Sequence, residues 1–513
     1  MPSTNTAPRR IAVVLDGPGT PRWQQRTVAL LGESPVLEVV SVQLAGAARR
    51  GALARALASI ERRLFRPGPD ALEPVALDPV TAASGEGGER DGALVVWLSE
   101  HPLPADEDRE LLFLRHGRRR ETAEQAFRRA VLRGHPSVET EALLRRGEET
   151  ALVERTVSGA RPFSTTLSRD KALWKIAPMV VRAAERAAAA NTPAQPAQPP
   201  SGAPSTAELI VRAPWRWARV VAARLLFVRP WQIRVRERGA EPTGGWDSRR
   251  SILAARPGHL YADPCIFEHE GRHHLFCEEL PPGQWRAVIS HSELGAGDGL
   301  AAAPVPVLEE PHHLSYPFVF AHEGEVFMIS ETSAQQRVDL YRATDFPRAW
   351  RHEATLLEGL VASDATLLAE GGRLWLFVGV AAPHATMLDE LHLFSAVALR
   401  GPWQAHPLNP VVSDVSCARP AGAIQRWGSR LVRPGQDCSR RYGGAVSFRE
   451  IDELSIESYA EHEIARLEPG DLGDARATHT YAADERYEAV DFRRRQWRLK
   501  PRRGRPGAAP KRP

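Results

Sequence analysis

Four polar residues occupy one equivalent position in a recurring pattern: Asp263, Tyr316, Asp364 and Arg419, spaced 53, 48 and 55 residues apart. Glu279 and Glu331 follow the second apolar run of their units. Cleavage of a glycosidic bond commonly uses two carboxyl groups flanking that bond, about 5–9.5 Å apart according to stereochemistry. Asp263 has the chemistry of a base or nucleophile, and Glu279, Glu331 or Asp364 that of its acid partner. Binding without turnover needs the same residue types, because Asp, Arg and Tyr recognise hydroxyls and sugar rings. A purely structural role competes with both, since Asp before Pro caps turns and Glu pairs with Arg across strands.

A second group lies in "RPGQDCSRRYG", with Arg433, Asp437, Arg440 and Tyr442, and His479 follows in "THTY". Paired arginines beside Tyr442 suit a clamp on a phosphate or carboxylate. A salt-bridged loop is the competing assignment. His273, His274 and Cys277 form a His-His-x-x-Cys run. On a strand His274 and Cys277 face opposite sides, so no metal site is expected there.

The repeated pattern identifies the elements that must hold these groups. "YADPCIFEHEGRHHLFCEEL", "SYPFVFAHEGEVFMISETS", "SDATLLAEGGRLWLFVGVA" and "ARPAGAIQRWGSRLVRPGQD" share one layout. In the first three, a glycine (Gly271, Gly324, Gly372) stands eight residues after the aligned position, and the fourth has one extra residue before Gly428. Apolar runs flanking a Gly-containing turn are hairpins, and recurrence at about 40–50 residues is the mark of propeller blades. Four visible units are completed by a composite fifth, in which "WQIRVRERG" near Trp231 pairs with the C-terminal "THTYAADERYEAVDF". Side chains at the starts of inner strands then converge on the central channel.

The region before the repeats has another character. "RIAVVLDG", "VLEVVSVQL", "GALVVWLSE" and "RELLFLRHG" are strands, "PRWQQRTVALLGE" has helical spacing, and "KALWKIAPMVVRAAERAAAA" closes the region as a helix. Strands alternating with helices predict a parallel, Rossmann-like sheet. The Pro- and Ala-rich stretch 189–208 is a linker.

Composition narrows the partners. The 513 residues carry a net charge of only +4, and four of the 67 basic residues are lysine, as arginine-favouring codon usage would give. Nucleic-acid binding needs clustered charge, and the clusters are confined to "RHGRRRE" and the tail from Phe492, so no specific nucleic-acid partner is expected. The start of the chain runs directly into a strand, so no leader is expected. "LIVRAPWRWARVVAARLLFVRPW" is broken by Pro214 and arginines, so no span is expected, and a peripheral membrane contact is the minor alternative. Four scattered cysteines without a Cys-x-x-Cys pair fit a cytoplasmic protein.

These motifs resemble the N-terminal propeller domain of the glucosamine inositolphosphorylceramide transferase family. "YADPCIFEHEGRHHLFCEEL", "HLSYPFVFAHEGEVFMISETS", "GPWQAHPLNPVVSD", "ARPAG" and "RPGQDCSRRYG" carry the resemblance, over about residues 225–495. In the plant transferases, sugar transfer belongs to a separate C-terminal domain, so the resemblance implies a glycan-related context rather than transfer. The propeller also resembles glycoside hydrolase propellers at fold level. Family members in bacteria often carry a formyltransferase-like domain, and residues 10–188 resemble a diverged version. His116 in "FLRHG" stands for the family histidine, without a matching Asn and Asp.

The expected organisation is an α/β Rossmann-like, formyltransferase-like domain over 10–188, the linker, an all-β five-bladed propeller over 209–498 and a basic disordered tail over 499–513. The expected function is binding of a glycan or sugar-phosphate in envelope glycan or glycolipid assembly. The alternatives are a glycoside-processing enzyme with paired carboxylates and a formyltransferase-like enzyme acting on a sugar amine. Neither a cofactor nor a metal is expected.

Overall fold

The computed structural model describes residues 7–17, 19–46, 52–65, 68–75, 92–104, 109–117, 121–189, 215, 217–218, 222, 227–228, 230–239, 241–246, 256–295, 303–494 and 496–497. The linker beyond residue 189, the tail from 499 and most of the segment 209–230 lie outside the described residues.

The apolar run Ile11–Leu15 is buried throughout, as the centre of a sheet covered on both faces requires. It lies between Leu37–Leu44 and Leu94–Trp97, parallel to both, and Leu111–His116 adds a fourth parallel strand. The sheet then departs from the expected all-parallel form. The hairpin Ser137–Arg146 and Glu149–Gly159 pairs antiparallel along Leu111–His116 and completes a mixed six-stranded sheet. Two connections produce this. The helix Ala123–Arg133 brings the chain back antiparallel beside Leu111–His116, and Gly147, at φ 60°, and Glu148 then reverse it within two residues.

The helix Ala123–Arg133 starts at a capping box, in which the Thr122 and Gln125 side chains each bond the other's backbone N–H, and ends at Gly134 in the left-handed region. The helix Thr165–Ala188 buries one long face against the sheet core.

The second domain is a ring of five blades. Blade 1 consists of Leu260–His269, Arg272–Leu280, Val288–Leu294 and Val305–Leu308. Blade 2 begins at Ser315, blade 3 at Val361 and blade 4 at Gln425, each four-stranded and antiparallel. Blade 5 is composite, as expected: Trp231–Glu237 pairs along Tyr487–Arg493, which pairs with Tyr481–Ala483. The first hairpins of blades 1, 2 and 3 close through Glu270-Gly271, Glu323-Gly324 and Gly371-Gly372, with φ positive at both turn residues. That is the two-residue turn whose twist matches the strands it joins.

No single hairpin buries its faces alone, and the ring solves this pairwise. Phe276, Ile289, Val319 and Met328 fill the space between blades 1 and 2. Ile329, Leu340, Leu367 and Leu376 do so between blades 2 and 3, and Phe377, Leu393 and Ile451 between blades 3 and 4. Phe448, Val446, Val490 and Phe492 join blades 4 and 5, and Ile233, Ala489, Ile266 and Leu275 join blades 5 and 1.

The two domains are docked. Ala381 pairs with Val361, so the loop 382–390 leaves blade 3 from the end where inner strands begin. The N-terminal domain meets that loop and the segment 411–416. Val157 N donates to Ser413 O at 2.9 Å, and Val415 N donates to Val157 O at 3.2 Å, which adds a strand-like bridge. Lys175, wholly buried, places Nζ 2.8 Å from Asp389 Oδ2 and 3.0 Å from Val157 O. Arg182 lies 3.5 Å from Glu390, and the Trp174 and His384 rings meet edge-on at 5.1 Å.

Removing one partner of a buried ion pair leaves the other charge uncompensated. Lys175→Ala is therefore expected to lower the unfolding free energy of the full chain by about 3–5 kcal/mol. Urea titration measures it, and a loss under about 1 kcal/mol would show that the pair does not anchor the domains.

Candidate axial binding site

The aligned residues of the repeat share an unusual backbone. Asp263, Tyr316 and Asp364 have φ of 51°, 47° and 51°, and the strand register shifts at each of them. A non-glycine residue in the left-handed region costs roughly 1–2 kcal/mol. Three instances at equivalent positions mark a bulge built into the blade rather than an accident of packing. Pro264 and Pro317 follow two of them, where the ladder is already broken and a missing N–H costs little.

The bulges bring neighbouring blades into contact at the axis. Asp263 N donates to Asp491 Oδ2 of blade 5 at 3.2 Å, and Tyr316 N of blade 2 donates to Asp263 Oδ2 at 3.2 Å. The Tyr316 hydroxyl reaches Thr366 Oγ1 of blade 3 at 2.9 Å. Arg419 turns Nε and Nη2 onto the Asp364 carboxylate, and its Nη2 also lies 3.3 Å from Glu331 Oε2. Gln436 Nε2 donates to Asp364 Oδ2 at 2.7 Å. The Arg419 guanidinium lies 5.4 Å from the centre of the Tyr442 ring, which in turn packs against His479 at 4.8 Å.

His479 joins blade 5 to blade 1. Its Nε2 is 3.0 Å from Asp263 Oδ1 and its Nδ1 2.7 Å from Asp491 Oδ2. Burial works against the charged ring, but the Asp491 and Asp263 carboxylates outweigh it and push its pKa up to about 10. Burial likewise works to raise Asp263, and the His479 charge and hydrogen bond outweigh it, holding that carboxyl below the ordinary range.

Glu278 behaves in the opposite sense. Burial first, and then the Asp263 charge, drive its carboxyl well above the ordinary range. Asp364 is raised by burial, against the pull of Arg419.

The sequence-derived candidates divide cleanly. Asp263, Tyr316, Glu331, Asp364, Arg419, Tyr442 and His479 meet at the axis. Glu279 does not. Adjacent strand residues face opposite sides, and Glu279 points into its own blade. There it accepts from the Tyr261 hydroxyl at 3.0 Å and lies 2.6 Å from His259 Nδ1. Glu278 takes its place at the axis. The repeat itself carried this information, since the 53-residue offset that relates Asp263 to Tyr316 also relates Glu278 to Glu331.

Arg433 also stays off the axis. It is buried and forked onto Glu461 of the outermost strand of blade 4, with Nη2 on Cys417 O at 2.9 Å. Asp437 pairs with Arg466 at 2.7 Å and caps Ser439. Arg440 is exposed. Asp491 and Gln436, buried partners of the network, had no marker in the repeat pattern.

Asp263, His479 and Asp491 also place a nitrogen and two carboxylate oxygens within 4.8 Å, a spacing that suits a metal. Here both imidazole nitrogens face carboxylates and the ring is held protonated, and an imidazolium has no lone pair to donate. His274 Nδ1 meets His291 Nε2 at 2.9 Å inside blade 1. In the N-terminal domain, His116 is buried with Nδ1 3.0 Å from Thr140 Oγ1, and burial lowers its pKa to about 4. It lines a cavity of about 410 Å³ together with Ser99, Glu100 and Arg169.

Comparison with known proteins bears out the propeller resemblance. Residues 249–494 match the family model described as glucosamine inositolphosphorylceramide transferase 1, N-terminal. A glucosamine inositolphosphorylceramide transferase 1 from Oryza sativa subsp. japonica is 39% identical over 157 residues, covering 30% of this chain and 21% of the relative. The protein of the same name from Arabidopsis thaliana is 28% identical over 240 residues, covering 43% of this chain and 30% of the relative. The matches thus span less than a third of either plant protein.

Among solved structures, a family 117 glycoside hydrolase of Zobellia galactanivorans is 12% identical, covering 52% of this chain and 90% of that one with a TM-score of 0.34. The catalytic domain of a Coprinopsis cinerea GH62 α-L-arabinofuranosidase is also 12% identical, covering 51% and 97% with a TM-score of 0.33. Likenesses of this size carry no argument about chemistry.

The His479 pKa, raised from an ordinary 6.5 to about 10, gives a signed expectation. Its stabilising contribution is complete below pH 6.5, declines as the pH rises through that window and is lost above about pH 10, and it is on the order of 5 kcal/mol. Unfolding measured from pH 6.5 to 10.5 should show this decline in the native chain and a flatter profile in His479→Gln. Parallel profiles would mean that the ring is not held as a cation.

Proposed function

We propose that the propeller is a glycan-binding module whose axial end recognises a sugar, within assembly of a bacterial envelope glycan or glycolipid. The observation that carries this reading is the convergence of buried charge from five blades. Among the described residues, Asp263, Glu331, Asp364 and Asp491 share Arg419 and His479 as their cations, and the Glu278 carboxyl is held well above its ordinary range beside them. Buried charges are a poor source of stability. A ring closed by apolar contacts at every blade interface has no structural need of them.

The sign of the charge selects the ligand. Surplus carboxylates accept hydrogen bonds from hydroxyls and favour an ammonium, and they repel phosphate. The paired arginines that suggested a phosphate clamp, Arg440 and Arg441, both lie at the exposed surface, and Arg433 is committed to Glu461. A neutral or amino sugar therefore fits better than a sugar-phosphate. The plant relatives' name, which specifies glucosamine, supports trying a hexosamine first.

Binding is favoured over hydrolysis, because the acids at the axis are already engaged by neighbouring blades: Asp263 by His479 and the Tyr316 N–H, and Asp364 and Glu331 by Arg419. The docked N-terminal domain is assigned a scaffold role. The four thiols are free, and burial pushes Cys265, Cys417 and Cys438 up to about 11, 12 and 11, so they are assigned a packing rather than a reactive role.

Calorimetric titration of the full chain with glucosamine, glucose and glucose 1-phosphate tests the reading. Glucosamine should bind tightest and glucose 1-phosphate weakest, and Glu331→Gln should weaken glucosamine about tenfold. Binding of none of the three sugars, or a preference for glucose 1-phosphate, overturns it.

A further inference from the structure

The axial acids are not equally enclosed. Asp364 is 1% exposed and Asp263 6%, whereas the Glu278 side chain keeps 18% of its surface. Glu278 Oε1 lies 3.4 Å from His313 Nε2, and the His313 side chain is 38% exposed. The other ring nitrogen, His313 Nδ1, accepts from Ala287 N at 3.1 Å, and Leu314 N donates back to Ala287 O at 3.2 Å. One polar path therefore leads from the axis, through Glu278 and His313, to the loop 281–287.

That loop leaves blade 1 beside the axial site, because Leu280 pairs with Leu260 just before the Asp263 bulge. Pro281 and Pro282 stiffen it, Gly283 at φ 78° turns it, and Gln284 N donates to Pro281 O at 3.2 Å. Arg286 ties its far side to the segment between blades 1 and 2 by donating to Glu310 O at 2.9 Å. The loop is thus fixed at both ends. At its crest Trp285 is 76% exposed, two residues from Ala287 and so within about 7 Å of it along the backbone.

A large aromatic on a rigid loop, exposed between Gln284 and Arg286 with the Arg286 guanidinium 6.0 Å from its ring centre, is not the contiguous apolar patch that a protein interface presents. It offers one flat face with hydrogen-bonding groups at its edge. Resting on the glycan reading above, we propose that Trp285, His313 and Glu278 form an outer sugar subsite. In it Trp285 stacks on the pyranose ring next to the one held at the axis, and His313 and Glu278 bond its hydroxyls. The ligand class is accordingly an oligosaccharide entering over blades 1 and 2.

The probes are glucosamine and its β-1,4-linked trimer, titrated calorimetrically against the full chain. The native chain should bind the trimer more tightly than the monomer. Trp285→Ala should erase roughly tenfold of that advantage, the scale of one aromatic contact, and Trp285→Phe should restore most of it. An unchanged trimer-to-monomer ratio in Trp285→Ala overturns the subsite while leaving the axial reading standing. Monomer affinity indifferent to Glu331→Gln overturns the axial reading instead. Failure of the native chain to bind either probe overturns both. If Trp285→Ala spares sugar binding but abolishes cosedimentation with phosphatidylcholine–phosphatidylglycerol vesicles, the ring is a membrane contact and the proposal is wrong.

Discussion

A propeller keeps its axial groups together only while its first and last strands stay paired. Here the pairing of Trp231–Glu237 with Tyr487–Arg493 carries that requirement. Blade 5 delivers His479 and Asp491, which hold Asp263 of blade 1 from both its side chain and its backbone N–H. Losing the closing strand would open the interface filled by Ile233, Ala489, Ile266 and Leu275 and separate the ion-paired groups in one event. Closure of the ring and assembly of the site are therefore a single cooperative step. The Trp231 ring, 4.2 Å from His479, couples them directly.

The second constraint is electrostatic. Five carboxyls against two cations cannot all ionise in an enclosed space, because like charges at short range raise one another's proton affinity. The network resolves this by division of labour. His479 keeps Asp263 ionised, Arg419 opposes the rise in Asp364, and Glu278 retains a proton. The left-handed bulges at Asp263, Tyr316 and Asp364 serve this arrangement, since each breaks the ladder of blade 1, 2 or 3 where that blade contributes its aligned residue to the axis.

Much of this was legible in the chain, and what was not has identifiable causes. The repeat spacing, the turn glycines and the composite blade are local and periodic, so the ring, its turns and most axial residues could be read directly. Glu279 misled because the acids are adjacent and only strand phase distinguishes them. The 53-residue offset settles the phase in favour of Glu278. Arg433 misled for another reason: its partner, Glu461, lies two strands away, and no local pattern announces a pairing across a blade. The antiparallel hairpin at Gly147 was similarly hidden, since strand direction in the N-terminal sheet depends on turn length as well as on alternation of elements.

A five-fold ring has no preferred side, and function at its axis requires that one be chosen. The N-terminal domain makes that choice. Its hairpin strand and its long helix grip the loops of blade 3 and the segment leading into blade 4, with Lys175 buried against Asp389. These loops rise from the same end of the ring as the axial acids. Approach over blades 3 and 4 is thereby obstructed, while His313 and Trp285 remain exposed, and Glu278 partly so, on the side of blades 1 and 2. Docking thus gives a pseudo-symmetric barrel a direction. The buried interdomain ion pair, weak as a source of net stability, is well suited to fix an orientation, because any slippage would strand a charge without its partner.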